Sequence, residues 1–244
     1  RAARRNAAVF CDGRSPRSWR YTTRSSASTG SMAAEGSEEA PASDPATVAV
    51  MRYRAIASDL DGTLLRSDQT VSARTRAAGD AAEDAGLLFV IATGRPPRWI
   101  PPVVEQLGER GLVVCANGAS VYDPARHELV ARTEIDADVA RSIVDDVEDA
   151  FPQAILGVEQ GFEFGIDVAV TDTDLDVASV VPDVRIAPVR TFLDRDVTKL
   201  IVRFPPTAPA GTAAAVQSVV GDRALVTHST NESFLELSHP SVHK

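Results

Sequence analysis

The sequence predicts an α/β fold, in which a parallel sheet with helices on both faces is followed by a second, α+β unit. Three observations lead to this prediction. From about residue 52, short apolar runs alternate with helical patterns, the order that builds parallel sheets through right-handed crossovers. The apolar runs are continuous, as in strands buried on both faces. After residue 118 the pattern changes to short strands with two helices among them.

The first unit contains three predicted strands separated by two predicted helices. In chain order these are a strand at 53–60, a helix at 71–86, a strand at 87–95, a helix at 101–111 and a strand at 112–118. Ser72 can cap the first helix, and Gly86 can end it in a left-handed turn. Two prolines are tolerated in the first turn of the second helix, and Gly111 follows its expected end.

The second unit begins with a hairpin around Asp123 and Pro124. Its predicted elements are a hairpin at 119–135, an amphipathic helix at 136–151, strands at 153–159, 162–167 and 197–204, a helix at 209–221, and strands at 223–229 and 233–239. We therefore expect domain limits of 52–123 and 124–238, with 239–244 starting the return to the first unit.

Composition excludes several classes of partner. The chain has 244 residues, of which 44% are hydrophobic, enough for one or two domains. Its net charge of −9 argues against nonspecific nucleic-acid binding, which needs a basic face. No apolar run is long enough to span a bilayer. The two cysteines, Cys11 and Cys115, form no disulfide framework, so we expect a reducing, cytoplasmic location.

Residues 1–51 differ in composition from the rest of the chain. They are rich in Arg, Ser and Ala, then small and polar, and we expect them to be disordered. The composition resembles an organellar transit peptide, which would change the expected location. The alternative is a non-native extension, because residue 1 is not Met while Met32 and Met51 are plausible starts.

Polar residues and glycines follow each predicted strand of the first unit. They are Asp59 and Asp61 after the first strand, Thr93 and Gly94 after the second, and Asn117 and Gly118 after the third. Ligands of open α/β sheets bind at these carboxyl ends. Residues i and i+2 of a strand share a face, and two carboxylates that close repel unless a cation lies between them or one is protonated. Mg²⁺ suits such oxygen ligands.

Four segments resemble the haloacid dehalogenase superfamily of phosphatases. They are "DLDGTLL" (59–65), "FVIATGR" (89–95), "VVCANGA" (113–119) and "FLELSHPSVHK" (234–244). The last two segments, and the late position of the second unit, resemble the Cof-type branch, which acts on sugar phosphates and carries a large α+β cap. The resemblance covers about residues 54–244. It implies a Rossmann-like parallel core with an inserted cap domain.

The resemblance also implies roles for individual residues. Asp59 matches the nucleophile that forms an aspartyl-phosphate, and Asp61 matches the general acid/base. Thr93, with Gly94, matches the group that binds the phosphoryl oxygens, and Lys244 matches the lysine that stabilises the transferring group. Mg²⁺ would be held by the Asp59 carboxylate and the Asp61 backbone carbonyl. The implied activity is Mg²⁺-dependent hydrolysis of small phosphorylated metabolites, such as sugar phosphates.

Two further residues have two interpretations each. Arg95 could contact the substrate or could be a surface arginine. Asn117 could contact the substrate or could be a turn former. Cys115 is expected to be a buried strand residue, and Lys199 to lie on a face of the cap domain.

The family's fourth motif, Gly-Asp-x-x-Asn-Asp, does not occur in the sequence. We therefore expect a fragment whose core sheet is incomplete at its C-terminus. Two other functions stay open: a phosphomutase on related scaffolding, and a noncatalytic phosphate-binding protein. The sequence indicates neither the substrate nor the oligomeric state.

Overall fold

The computed structural model describes residues 53–167, 183–206, 208–228 and 232–242. The predicted disorder of residues 1–51 and the role of Lys244 lie outside these residues. The four described helices are α1 (Ala73–Asp84), α2 (Pro101–Leu107), α3 (Ala137–Ala150) and α4 (Thr212–Val220). Together with two sheets they confirm the predicted α/β class.

The first sheet is parallel where the sequence predicted parallel strands. Its strands are β1 (Ala55–Asp59), β2 (Leu88–Ala92), β3 (Leu112–Cys115), β4 (Ser120–Asp123) and β5 (Glu128–Arg132), in the order β1-β2-β3-β4-β5. The β1–β2 and β2–β3 pairs are parallel, whereas β4 and β5 extend the sheet as an antiparallel hairpin. Apolar residues of α2 and of the strands form its core.

Local signals explain where the helices begin and end. Ser72 caps α1 as predicted, because its Oγ accepts a hydrogen bond from the Thr75 backbone N–H at 2.9 Å. The helix α2 ends earlier than predicted, since Gly108 takes the left-handed conformation (φ +87°) that ends many helices. Gly111 serves another purpose. A Cβ at that position would lie 1.9 Å from the Phe89 carbonyl oxygen, so glycine allows the chain to pass close to β2.

The second sheet has six strands. They are β6 (Ile155–Gln160), β7 (Glu163–Ile166), β8 (Arg185–Ile186), β9 (Lys199–Arg203), β10 (Leu225–His228) and β11 (Phe234–Ser238), in the order β10-β11-β9-β6-β7-β8. All pairs are antiparallel except β7–β8. Alternate residues such as Leu200, Val202 and Leu237 pack in one core with α3 and α4. The residues between them, including Lys199, therefore lie on the opposite face.

The hairpin strand β5 belongs to the first sheet, although the predicted limit between domains falls at residue 124. The two-domain division stays a prediction, because sheet membership does not measure independent folding. The segment leading to α3 pairs with the second sheet through a bridge between Ile135 and Val197. Within the described part of the chain, no helix combines the length and apolarity needed to cross a bilayer.

Candidate active site

Asp59 and Asp61 lie at the carboxyl end of β1, on either side of the buried Leu60. Asp59 pairs in register with Ala92, the last residue of β2. Asp59 therefore lies beside the end of β2, where Thr93 follows. The chain then turns sharply. Gly62 has a φ of +74°, and the Leu65 N–H donates to the Leu60 carbonyl at 3.0 Å. Leu60 is fully buried, which anchors the turn and places an acidic residue on each side of it.

The Asp61 carboxylate is held by Arg95. The Arg95 Nε donates to both Asp61 oxygens, at 3.2 and 3.0 Å, and Nη2 donates to Oδ1 at 2.5 Å. Nη2 also donates to Gln69 Oε1. The guanidinium therefore links the turn after β1 to the residues after β2. The Asp61 side chain is about half exposed, which leaves it accessible to a ligand.

Thr93 is the buried hydroxyl of the site. Its Oγ1 accepts from the Arg95 backbone N–H at 3.1 Å, and its own backbone N–H donates to the Val114 carbonyl at 2.9 Å. A hydroxyl has one proton to donate besides its acceptor lone pairs. Thr93 can therefore shape the turn with its oxygen and still have a proton to donate.

Gly94 and Asn117 are in close contact. Asn117 follows β3 in the left-handed conformation (φ +58°), and its backbone N–H donates to the Thr93 carbonyl at 3.2 Å. A Cβ on residue 94 would lie 2.9 Å from Asn117 Oδ1, so a larger residue there would displace the Asn117 side chain. The three strand ends are thus brought together, as the sequence predicted.

The second sheet contributes charged residues that sequence reasoning did not assign to the site. Arg98 Nη2 lies 3.0 Å from Glu159 Oε1 of β6, and the Arg98 guanidinium lies over the Phe164 ring, 4.6 Å from its centroid. Glu236 of β11 accepts from Asn117 Nδ2 at 3.2 Å. Lys199, which was expected on a face of this sheet, is fully buried there with its Nζ 2.8 Å from Glu236 Oε1.

The oxygen atoms at the end of β1 fit Mg²⁺. The Asp59 carboxylate and the Asp61 backbone carbonyl are the hard oxygen ligands that Mg²⁺ prefers, and this ion usually retains several waters. Among the described residues, no group of three or more His, Cys, Asp or Glu side chains is arranged to hold a metal.

Cys115 ends β3 near the site but is not suited to be its nucleophile. The side chain is fully buried and unpaired with any other cysteine. Burial raises the pKa of the thiol from 9.0 to about 12. Because the thiolate is the reactive form, Cys115 is a core residue of the strand, as expected from the sequence.

Comparison with known proteins identifies the family. A sequence profile described as haloacid dehalogenase-like hydrolase matches residues 56–244. The chain belongs to the haloacid dehalogenase-like hydrolases. The match includes the strand-end residues Asp59, Asp61, Thr93 and Asn117.

Curated relatives of this haloacid dehalogenase-like hydrolase are named phosphatases. The chain is 36% identical over 92 residues to the 5-amino-6-(5-phospho-D-ribitylamino)uracil phosphatase YwtE of Bacillus subtilis, covering 38% of this chain and 31% of that protein. It is 36% identical over 92 residues to the HMP-PP phosphatase of Serratia proteamaculans, covering 38% and 33%. The chain thus matches about a third of the length of these relatives.

A solved structure shares the fold. The crystal structure of a haloacid dehalogenase-like hydrolase from Bacteroides thetaiotaomicron superposes with a TM-score of 0.60 at 21% identity, covering 78% of this chain and 73% of that one. At this identity the likeness concerns the fold alone.

Proposed function

We propose that this protein is a Mg²⁺-dependent phosphatase that hydrolyses small phosphorylated metabolites through an aspartyl-phosphate intermediate. The observation that carries the proposal is the placement of Asp59 and Asp61 at one strand end beside the buried Thr93 hydroxyl, in a chain of the haloacid dehalogenase-like hydrolase family. The phosphomutase and the noncatalytic alternatives have no described contact in their favour.

The two aspartates have different roles in the proposed reaction. An Asp59 carboxylate oxygen attacks phosphorus, and the bond from phosphorus to the leaving oxygen breaks as Asp61, in its protonated carboxylic acid form, donates its proton to that oxygen. In the second half, Asp61 takes a proton from water, the water oxygen attacks the same phosphorus, and the bond from Asp59 to phosphorus breaks. The products are the alcohol, inorganic phosphate and the original enzyme.

The residues after β2 hold the phosphoryl group in this scheme. The Thr93 proton is donated to one phosphoryl oxygen, and the Arg95 guanidinium binds another. A guanidinium forks onto carboxylate and phosphate in the same geometry, so the fork now on Asp61 can transfer to an arriving phosphate. That exchange frees the Asp61 carboxyl group for proton transfer. Lys244, outside the described residues, is proposed to bind the same group.

Mg²⁺ is proposed at the Asp59 carboxylate and the Asp61 backbone carbonyl. When bound, the ion neutralises charge on the transferring phosphoryl group.

The substrate class and the cellular location are also proposals. One relative is named for a substrate with a phospho-D-ribityl group, and this supports a sugar or sugar-alcohol phosphate. The scarcity of cysteines favours a reducing compartment such as the cytoplasm.

Substitution of Asp59 by Asn tests the proposal, because an amide cannot form the acyl phosphate. Turnover of an aryl phosphate with Mg²⁺ should fall to background in Asp59→Asn. The matched control is Asp84→Asn, which makes the same chemical change at an exposed position of α1 and should retain full activity. Activity of Asp59→Asn within about tenfold of the wild type would refute the nucleophile.

A further inference from the structure

A buried ion pair beneath Asn117 is not used by the proposed reaction. Lys199 is fully buried, and its Nζ lies 2.8 Å from Glu236 Oε1. The other oxygen, Oε2, accepts from Asn117 Nδ2 at 3.2 Å. The two oxygens of Glu236 thus have one partner in the second sheet and one in the turn between β3 and β4. Replacing a buried ion pair with apolar residues is often neutral or stabilising, so stability alone does not account for the pair.

Glu236 determines which way the Asn117 amide points. A carboxylate can only accept hydrogen bonds, so Asn117 must direct Nδ2 toward Glu236. Oδ1 then points toward Gly94, where a Cβ would lie within 2.9 Å of it. An amide turned the other way would place two donor hydrogens against this turn and a lone pair against the carboxylate.

Asn117 in turn contacts the segment that carries the phosphate-binding groups. The Asn117 backbone N–H donates to the Thr93 carbonyl, and the Asn117 side chain packs against Gly94, the residue after Thr93. Thr93 and Arg95 are joined by a hydrogen bond across the same turn. A change in the orientation of Asn117 would therefore displace both residues.

We infer that Glu236, itself held by Lys199, is a positioning residue that orients the Asn117 amide and, through it, the turn from Thr93 to Arg95. The inference rests on the proposed function and deepens it, since it makes the second sheet part of the phosphate site. Glu236 and Lys199 act without touching the substrate. The effect should therefore appear even with an aryl phosphate, which offers the second sheet no sugar to recognise.

The test replaces the ion pair without leaving a buried charge. The Leu variant combines Lys199→Met with Glu236→Leu and leaves no hydrogen-bond acceptor for Asn117 Nδ2. The Gln variant combines Lys199→Met with Glu236→Gln and keeps one carbonyl oxygen as an acceptor. When two residues belong to one hydrogen-bond network, substituting one typically changes the effect of substituting the other by a factor of a few up to about a hundred. We expect the Leu variant to lose about tenfold in kcat/KM and in affinity for inorganic phosphate, and the Gln variant to recover to within about threefold of the wild type.

A double-mutant cycle that includes Asn117→Ala distinguishes a positioning role of Glu236 from a general effect on the structure. In that background the Leu variant should change kcat/KM by no more than about twofold, because the residue it acts through is gone. Arg190→Met is the matched control, since it removes an exposed ion pair with Asp145 and should change no measured quantity of the site. Full additivity with Asn117→Ala would overturn the inference.

A readout independent of activity is hydrogen exchange at the Asn117 backbone N–H, which donates to the Thr93 carbonyl. Its exchange should become about tenfold faster in the Leu variant and return toward the wild-type rate in the Gln variant. If the wild type does not hydrolyse phosphate esters, the proposed function fails, while the exchange rates still decide the positioning role. Unchanged exchange in the Leu variant overturns it.

Asn117→Asp provides a second variant should the Leu variant not fold. It places a carboxylate against Glu236 and breaks the contact while both buried charges stay in place. Exchange at the residue 117 backbone N–H should again rise about tenfold, and an unchanged rate would overturn the inference.

Discussion

Thr93→Val removes the one buried hydroxyl of the candidate site while keeping its shape. Thr93 Oγ1 accepts from the Arg95 backbone N–H at 3.1 Å, and the residue is 1% exposed. Leaving a buried donor unsatisfied costs about 1–3 kcal/mol. A loss of about 2 kcal/mol should lower the melting temperature by about 4–8 °C in a domain of this size.

The effect on turnover should exceed the effect on stability. Loss of one donor that stabilises charge in a transition state typically lowers kcat by about 10²–10³, equivalent to about 2.7–4 kcal/mol. The assay is hydrolysis of an aryl phosphate with Mg²⁺, at a temperature well below the melting transition of the variant. Thr93→Ser, which retains the hydroxyl, is the control and should remain within about tenfold of the wild type.

The stability and activity measurements separate two roles for Thr93. If Thr93→Val melts at a lower temperature but keeps kcat/KM within about threefold of the wild type, the hydroxyl only shapes the turn. The assignment of Thr93 as a phosphate-binding residue would then be wrong.

Three further predictions concern single residues. Asp61→Asn should slow turnover by about 10²–10⁴, with a smaller loss for an aryl phosphate than for a sugar phosphate because the aryl leaving group needs less protonation; equal losses would contradict the acid role. Ser72→Ala should lower the unfolding free energy by about 1 kcal/mol in urea titration, with Ser72→Thr as control, and an unchanged midpoint would show that the cap contributes nothing. In a Cys11→Ser background, Cys115 should resist iodoacetamide at pH 8.5 until urea is added, because its pKa is raised to about 12. The thiol has the lower pKa in the unfolded protein and loses its proton there first. The contribution of Cys115 to the free energy of unfolding should therefore fall as the pH rises from about 9 toward 12. Rapid labelling of Cys115 in the native protein would contradict its burial.

The sequence predicted the strands of the first sheet because they depend on local pattern, whereas the roles of the site residues stay predictions. Continuous apolar runs located the parallel strands, but the prediction that the first of them is buried was wrong, because β1 lies at the edge of the described sheet and its first three residues are exposed. Ser72 carries a capping signal that the structure confirms. Once the strands were placed, topology required the residues after β1, β2 and β3 to meet at one edge. The end of α2 was predicted three residues too late, because Gly108 and Gly111 are both suitable stops and only packing distinguishes them.

The contacts from the second sheet could not be predicted in the same way. Glu236 contacts a residue 119 positions earlier in the chain, and no periodicity encodes that distance. Lys199 in an apolar strand is equally typical of a solvated face and of a buried ion pair. Which one occurs depends on the register that places β11 beside β9 and on the docking of this sheet face against the end of β3.

The strand that carries Asp59 is the outermost strand of the first sheet. Among the described residues, β1 hydrogen-bonds with β2 on one side only, and Ile56 in its middle is 39% exposed. A further strand that paired in parallel with the open edge of β1 would lie about 4.8 Å from β1. The carboxyl end of that strand would lie next to Asp59. Its terminal side chains would lie near the oxygen atoms proposed to hold Mg²⁺. The open edge of the sheet is therefore a place where a neighbouring strand, from this protein or another, could supply additional ligands to the proposed site.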